Sequence, residues 1–250
     1  MKALITGASS GMGRDMAKNL SARGYDLILV ARRAERLEEL KKELKTNVQI
    51  ISLDLSKEEG CISLHEQVKN ENIDILINNA GFGVFGAFDE TDLQEELRMI
   101  NTNITAVHIL MKLFLKDFKV KNSGYILNVA SSAAFLPGPL FSSYYASKAY
   151  VLRLTQAVYE ELRKVGSNVY VGALCPGPVQ TEFDTTAKVS FSLKGLDSRT
   201  VADYTIKKMF QRKLVIVPGT VMKCARFFEK FSPDKLLLRF AYQAQKAKNS

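Results

Sequence analysis

The chain has no tryptophan, three cysteines, two histidines and six prolines in 250 residues, and these shortages each remove a class of function. Cys61, Cys175 and Cys224 are odd in number and widely spaced, with no C-x-x-C. Neither a disulfide framework nor a structural zinc site is expected from them, and no metal ligands are assigned. No apolar run approaches the roughly 18–20 residues of a membrane span. The opening Met1-Lys2-Ala3-Leu4-Ile5-Thr6-Gly7 enters a strand pattern directly, without the apolar stretch and cleavage site of a secretory leader. The expected compartment is the reducing cytoplasm. Internal repeats and low-complexity linkers are missing too, so residues 1–250 read as one domain. Acidic residues run short at one end: Lys207 to Ser250 holds eleven Lys or Arg against Glu229 and Asp234, which accounts for the whole formal charge of +9.

What is present is a globular composition, 46% apolar and 24% charged, arranged as short apolar runs alternating with helical patterns. The candidate strands are Lys2–Thr6, Asp26–Ala31, Val48–Asp54, Ile73–Asn78, Gly124–Ala130, Val169–Cys175 and Lys213–Val217. They are rich in Ile, Val and Leu without clean polar alternation, as strands buried on both faces of a parallel sheet are. Helices are expected over Gly11–Arg23, Arg33–Lys45, Lys57–Asn70, Thr91–Lys116 and Ser142–Lys164. Leu37, Leu40 and Leu44 recur at helical spacing among Lys and Glu, which puts one face of that helix on the sheet. The alternation predicts an α/β doubly wound parallel sheet of about seven strands, a Rossmann fold with helices on both faces. Ligands in such sheets bind beyond the carboxyl ends of the strands. The residues that follow each strand therefore carry the functional reading.

After the first strand comes Thr6-Gly7-Ala8-Ser9-Ser10-Gly11-Met12-Gly13 and then a helix. Glycines allow a tight turn and close backbone approach to a pyrophosphate, and a helix N-terminus favours an anion. Gly7-x-Ser9-x-Gly11 also fits the nucleophile elbow of hydrolases. That chemistry needs a late histidine, and only His65 and His108 exist. No G-K-[ST] follows, which excludes a P-loop. The second strand ends in Arg32-Arg33, where a dinucleotide enzyme selective for NAD places an acid. A guanidinium suits a 2′-phosphate and finds no partner at a bare hydroxyl, so NADP(H) is expected in preference to NAD(H). The third strand ends in Asp54-Leu55, where a carboxylate could reach an adenine amino group.

Further on, Asn78-Asn79-Ala80-Gly81 follows strand four and Ser131 ends strand five. Tyr144-Tyr145-Ala146-Ser147-Lys148 lies on a helix, and Pro176-Gly177-Pro178-Val179-Gln180-Thr181 follows strand six. Tyr144 and Lys148 are i, i+4 and share a helix face. An ammonium beside a phenol stabilises the phenolate and lowers a pKa otherwise near 10. Ser131 can hydrogen-bond a substrate oxygen.

In these motifs, and in their order, the chain resembles the short-chain dehydrogenase/reductase family in its form of about 250 residues, closely over Lys2 to Thr181. The resemblance implies catalytic roles for Asn103, Ser131, Tyr144 and Lys148. It selects Ser131 over Ser132 and Tyr144 over Tyr145, because the family serine lies thirteen residues before a tyrosine with Lys at +4. Asn103, rather than Asn101, is the implied fourth member, holding a proton-relay water, and Lys148 also binds the nicotinamide ribose. Cofactor contacts are implied at Gly7, Ser9, Ser10, Gly11, Met12, Gly13, Arg32, Arg33, Asp54, Leu55, Asn79, Ala80, Gly81, Tyr144, Lys148, Pro176, Gly177, Val179 and Thr181. Asn79 is expected to tie strand neighbours together rather than touch substrate.

The expected activity is NADP(H)-dependent hydride transfer to or from a carbonyl or alcohol carbon, with Tyr144 moving the proton. The alternative is a nucleotide-sensing binding protein without turnover. Phe82, Val84, Phe85, Phe183 and Phe191 predict an apolar pocket, suited to a hydrophobic ketone, aldehyde, steroid-like or acyl substrate. Residues 180–212 read as a substrate-loop region, either a lid or a packed loop. Residues 219–250 read as a basic helical segment that packs on the sheet edge or on a second subunit in preference to an anionic membrane. Nucleic acid is not an expected partner, because charge alone without a binding motif gives only sequence-independent affinity. Long apolar-striped helices imply, through the family, a homo-oligomer, dimer or tetramer.

Overall fold

The computed structural model describes residues 1–183, 195–229 and 233–246. Its main sheet has seven parallel strands in the order β3-β2-β1-β4-β5-β6-β9. In chain order these are β1 Lys2–Thr6, β2 Asp26–Ala31, β3 Val48–Ser52, β4 Ile73–Asn78, β5 Tyr125–Val129, β6 Tyr170–Leu174 and, at the far edge, β9 Val215–Ile216. The short strands β7 Val179–Gln180 and β8 Leu196–Asp197 pair separately beside it. The chain begins in the middle of the main sheet and winds outward to β3. It then returns to β4 on the other side of β1, so the crevice at the switch point lies between β1 and β4.

Side chains alternate across a strand, and this divides the core into two layers. Ala3 and Ile5 of β1, Leu27 and Leu29 of β2, and Ile75 and Ile77 of β4 face one way. They meet Met16 and Leu20 of α1 (Gly11–Ala22), Leu37 and Leu40 of α2 (Ala34–Glu43), and Ile206 and Met209 of a later helix, Ser198–Phe210. Leu4, Ile28 and Leu76 face the other way, against Leu64 of α3 (Glu58–Val68) and Leu110, Phe114 and Phe118 of α5 (Ala106–Val120). Burying each of these large side chains contributes about 1.5–3 kcal/mol.

The single helix expected over Thr91–Lys116 is corrected. Asp92 caps α4 (Leu93–Ile100) by accepting from Glu95 N at 2.8 Å, so Thr91 lies outside it. A π turn, Asn101–Thr105, then joins α4 to α5, with Ala106 N–H donating to Asn101 O. The extra residue rotates the face of the helix: Asn103 is fully buried while Asn101 is exposed. The helix runs on to Val120 because the first residue in left-handed backbone is Asn122, with φ 46°. Helix α6, Ser142–Lys164, forms as expected. The region 180–212 contains β8 and α7 (Ser198–Phe210), and Phe191 lies outside the described residues.

The basic end forms α8 (Thr220–Glu229) and α9 (Asp234–Lys246). Part of it packs inward. Met222 lies against Gly177, the Arg226 guanidinium sits 5.0 Å over the Phe135 ring, and Gln245 is buried. Phe227, Leu236 and Phe240 remain exposed.

Candidate active site

The turn after β1 is shaped by how closely two backbones approach. Gly7 has φ +64°, and a Cβ on it would lie 2.8 Å from Ala80 Cα, so only glycine fits there. Thr6 Oγ1 accepts from the backbone N–H groups of Asn79 and Ala80, both at 3.0 Å. Asn79 Nδ2 donates to Thr6 O and Gly7 O, both at 3.1 Å. Asn79 thus locks the ends of β1 and β4 together, as its place in the sequence implied. A Cβ on Gly13 would sit 2.4 Å from Gly7 O, which lets α1 pack tightly on the turn. The N-cap Ser10 makes no side-chain capping bond and the first turn of α1 carries no acid, so the positive end of the helix dipole faces the cleft.

A cleft of about 230 Å³ runs along the carboxyl ends of β1, β2, β3 and β4. Its walls include thirteen of the expected cofactor residues: Gly7, Ser9, Ser10, Gly11, Met12, Arg32, Arg33, Asp54, Leu55, Asn79, Ala80, Gly81 and Thr181. A smaller cavity of about 90 Å³ shares Met12, Asn79, Gly81 and Thr181 with it, and adds Ser131, Tyr144, Lys148, Pro176 and Val179. Two expected cofactor residues lie in neither wall. Gly13 supports the turn, and Gly177 leaves room for Met222, whose Cγ a Cβ would meet at 2.7 Å.

At the junction of the two cavities, Tyr144 and Ser131 line the same wall, and Ser131 Oγ accepts from Ala133 N at 3.1 Å. The Tyr144 ring stacks on Phe141 at 4.5 Å and lies 5.3 Å from Phe183. Lys148 is buried, and its Nζ donates to Val129 O at 3.0 Å. Burial pulls its pKa down to about 8. The expected lowering of the Tyr144 phenol by Lys148 is corrected. Lys148 Nζ is 5.8 Å from the ring centroid and is aimed at a carbonyl. Burial raises the phenol well above 10, and the neighbouring Ser131 side chain offsets only part of that.

Asn103 lines neither cavity; it lies beneath their shared floor. Its Oδ1 accepts from Phe82 N at 3.1 Å, and its Nδ2 donates to Phe82 O at 2.9 Å and Ser147 Oγ at 3.0 Å. The side chain is therefore committed to holding the Phe82 backbone, so a relay water would need a donor other than its amide protons. A Cβ on Gly81 would meet Asn103 Oδ1 at 2.8 Å and Lys148 Nζ at 3.2 Å. Bare backbone at this position is what leaves the cleft open down to the lysine.

Sequence reasoning missed three residues. Arg36 and Arg33 both reach Glu182, which follows β7, with Arg36 Nη1 2.6 Å from its Oε1. Hydrogen bonds and charge from Arg36, with Arg33 adding to them, hold the Glu182 carboxyl below its usual range. Gln245 of α9 donates to Tyr145 Oη at 2.5 Å, and this fixes Tyr145 away from Ser131. The elbow reading fails on geometry, because His65 pairs with Asp117 and His108 with Tyr150, and neither bonds to Ser9. Among the described residues, no group of three or more His, Cys, Asp or Glu is placed to hold a metal ion. Nor is any helix among them long and apolar enough to cross a membrane.

Comparison with known proteins gives a consistent picture. A family model described as short chain dehydrogenase matches residues 1–189. An uncharacterized oxidoreductase of Staphylococcus epidermidis is 31% identical over 212 residues, covering 84% of this chain and 90% of that protein. A short-chain dehydrogenase from Sphingobium yanoikuyae, solved in complex with NADPH, superimposes with a TM-score of 0.82 at 31% identity, covering 93% of this chain and 96% of that one. The bulky-bulky ketone specific alcohol dehydrogenase from Comamonas testosteroni gives a TM-score of 0.78 at 30% identity, over 87% and 86% of the two chains.

Proposed function

The chain belongs to the short-chain dehydrogenase family, and from that premise we propose that it is an NADP(H)-dependent oxidoreductase acting on the carbonyl or alcohol carbon of an apolar substrate. The observation that carries this reading is the junction of the two cavities. The larger one has a glycine-lined turn, a helix N-terminus without an acid in its first turn and arginines, and it shares Gly81 with the smaller one, which holds Tyr144, Ser131 and Lys148. These residues fit a nicotinamide dinucleotide: anion-ready groups lie at the β1 end, and the floor is bare backbone where the cleft meets the lysine.

When bound, the nicotinamide supplies or takes up the hydride. The protein's own residues do the rest. Tyr144 holds a proton on a phenol that burial keeps neutral, ready to pass to a developing alkoxide. Ser131, which lines the same cavity as that phenol, positions the substrate oxygen beside it. Lys148, held to Val129 O and close to Gly81, would bind the ribose of the nicotinamide. Phe82, Val84, Phe85, Phe141 and Phe183 pack around Tyr144 as an apolar cluster. Such a wall favours a hydrophobic ketone or alcohol over a sugar, in keeping with the bulky-ketone specificity in the name of the Comamonas enzyme. Arg32 and Arg33 beside the cleft favour the 2′-phosphate, as does the NADPH in the Sphingobium structure.

The same reading takes the chain to be one cytoplasmic domain, acting as a homo-oligomer, dimer or tetramer, through the long helices of Thr91–Lys116 (α4 and α5) and Ser142–Lys164 (α6). Sedimentation at micromolar concentration tests the assembly. A pocket used only for nucleotide sensing would have no use for the proton-donating pair. The function is tested by following NADPH oxidation with a panel of hydrophobic ketones and aldehydes beside a sugar aldehyde. Turnover of the former is expected. NADPH binding with no turnover of any carbonyl would favour the sensing role.

A further inference from the structure

The corner of the cleft that the arginines form is not open. Glu182, the residue after Thr181, reaches across it. Its Oε1 and Oε2 accept from Arg36 Nη1 at 2.6 and 2.7 Å. Its Oε2 also accepts from Arg33 Nη1 and Nη2, both at 3.4 Å. Arg33 Nη2 in turn lies 3.3 Å from Ser9 Oγ and 3.5 Å from Ser10 Oγ, hydroxyls of the glycine turn. Two guanidinium groups thus converge on one anion, the protein's own carboxylate, while Arg33 also donates to the two hydroxyls of the glycine turn.

Resting on the NADP(H) reading, we propose that Glu182 is a built-in competitor for the 2′-phosphate: its carboxylate sits on the Arg33–Arg36 pair, and a nucleotide bearing that phosphate must displace it. The chemistry of the seat supports this. A guanidinium fork accepts a carboxylate or a phosphate by the same paired N–H groups, and it cannot serve both fully at once. Arg36 lies in the first turn of α2, which Arg33 precedes as its N-cap, so displacing Glu182 frees a second cation beside the corner where Arg32 and Arg33 line the cleft. A nucleotide with a bare 2′-hydroxyl gains nothing from that exchange and leaves the carboxylate in place. Glu182 therefore reduces the affinity for the phosphorylated nucleotide selectively, and so sets how strongly the enzyme prefers it. The pair is about half exposed, so the competition is modest in size and weakens with salt.

The test is calorimetric titration of two probes, 2′,5′-ADP and 5′-AMP, into the wild-type protein and Glu182→Gln, with melting curves confirming that both are folded. The glutamine keeps the shape and removes the charge. For 2′,5′-ADP, binding about three- to tenfold tighter is expected in the variant, with 5′-AMP changed by less than about twofold. The gain should shrink as salt is raised. Unchanged or weaker 2′,5′-ADP binding in Glu182→Gln overturns the proposal while leaving the cofactor reading intact. Equal tightening of both probes also overturns it, because Glu182 would then obstruct the cleft without regard to the phosphate. If 2′,5′-ADP binds no tighter than 5′-AMP in either protein, the NADP(H) reading itself fails and takes this one with it.

Discussion

Replacing Asn103 with alanine tests how the π turn builds the site. Asn103 is fully buried and makes three hydrogen bonds, two to the Phe82 backbone and one to Ser147 Oγ. Alanine removes all three and leaves the Phe82 N–H and C=O without these partners. A net contribution of about 1 kcal/mol per bond predicts a loss of about 3 kcal/mol in stability. For a chain of this size that corresponds to a melting temperature lower by roughly 6–12 °C. Asn103→Asp should not rescue it, since an aspartate can accept from Phe82 N–H but cannot donate to Phe82 O, and it buries a charge. Asn101→Ala is the control: that residue is exposed and should change stability by no more than about 0.5 kcal/mol. Urea unfolding and thermal melts of the three variants decide the matter. An Asn103→Ala protein within about 0.5 kcal/mol of wild type, or an Asn101→Ala protein equally damaged, would refute the account of the turn.

Lys148 gives a pH prediction. Its pKa falls from 10.5 to about 8 on folding, so between these values the unfolded chain binds the extra proton and stability from this group rises with pH. The unfolding free energy of wild type relative to Lys148→Met should therefore climb from about pH 8 to about pH 10, and a flat or falling difference in urea titrations would show that the lysine is not buried as described. For cofactor selection, Arg32→Ala should weaken NADPH by about tenfold while leaving NADH nearly unchanged; equal losses in fluorescence titrations would remove Arg32 from the phosphate site.

The residues after each strand were legible because an α/β sheet places strand ends together whatever the loops do. Gly7, Asn79, Ser131 and Thr181 could be assigned to one crevice from order alone. Tyr144 and Lys148 could be placed on one helix face by their spacing, but where Nζ points could not be read. That depends on the Val129 carbonyl, nineteen residues away. The π turn was illegible because the apolar pattern runs through it, and only the i+5 bond from Ala106 N–H to Asn101 O reveals it. Arg36 reads in sequence as an exposed helix residue. Its partner Glu182 is 146 residues away, and no local pattern links a surface arginine to an acid beyond a later strand. Gln245, a hundred residues from Tyr145, was hidden for the same reason.

The central claim is that the protein moves a proton through Tyr144 beside a bound nicotinamide. The most direct measurement takes one hydrophobic ketone that the wild type reduces and compares wild type, Tyr144→Phe and Tyr145→Phe in NADPH oxidation, with NADPH affinity measured separately by fluorescence titration. The account predicts that Tyr144→Phe loses turnover by at least about a hundredfold while its NADPH affinity stays within about twofold, and that Tyr145→Phe keeps most of its activity. Retained turnover in Tyr144→Phe, or loss confined to Tyr145→Phe, would contradict it.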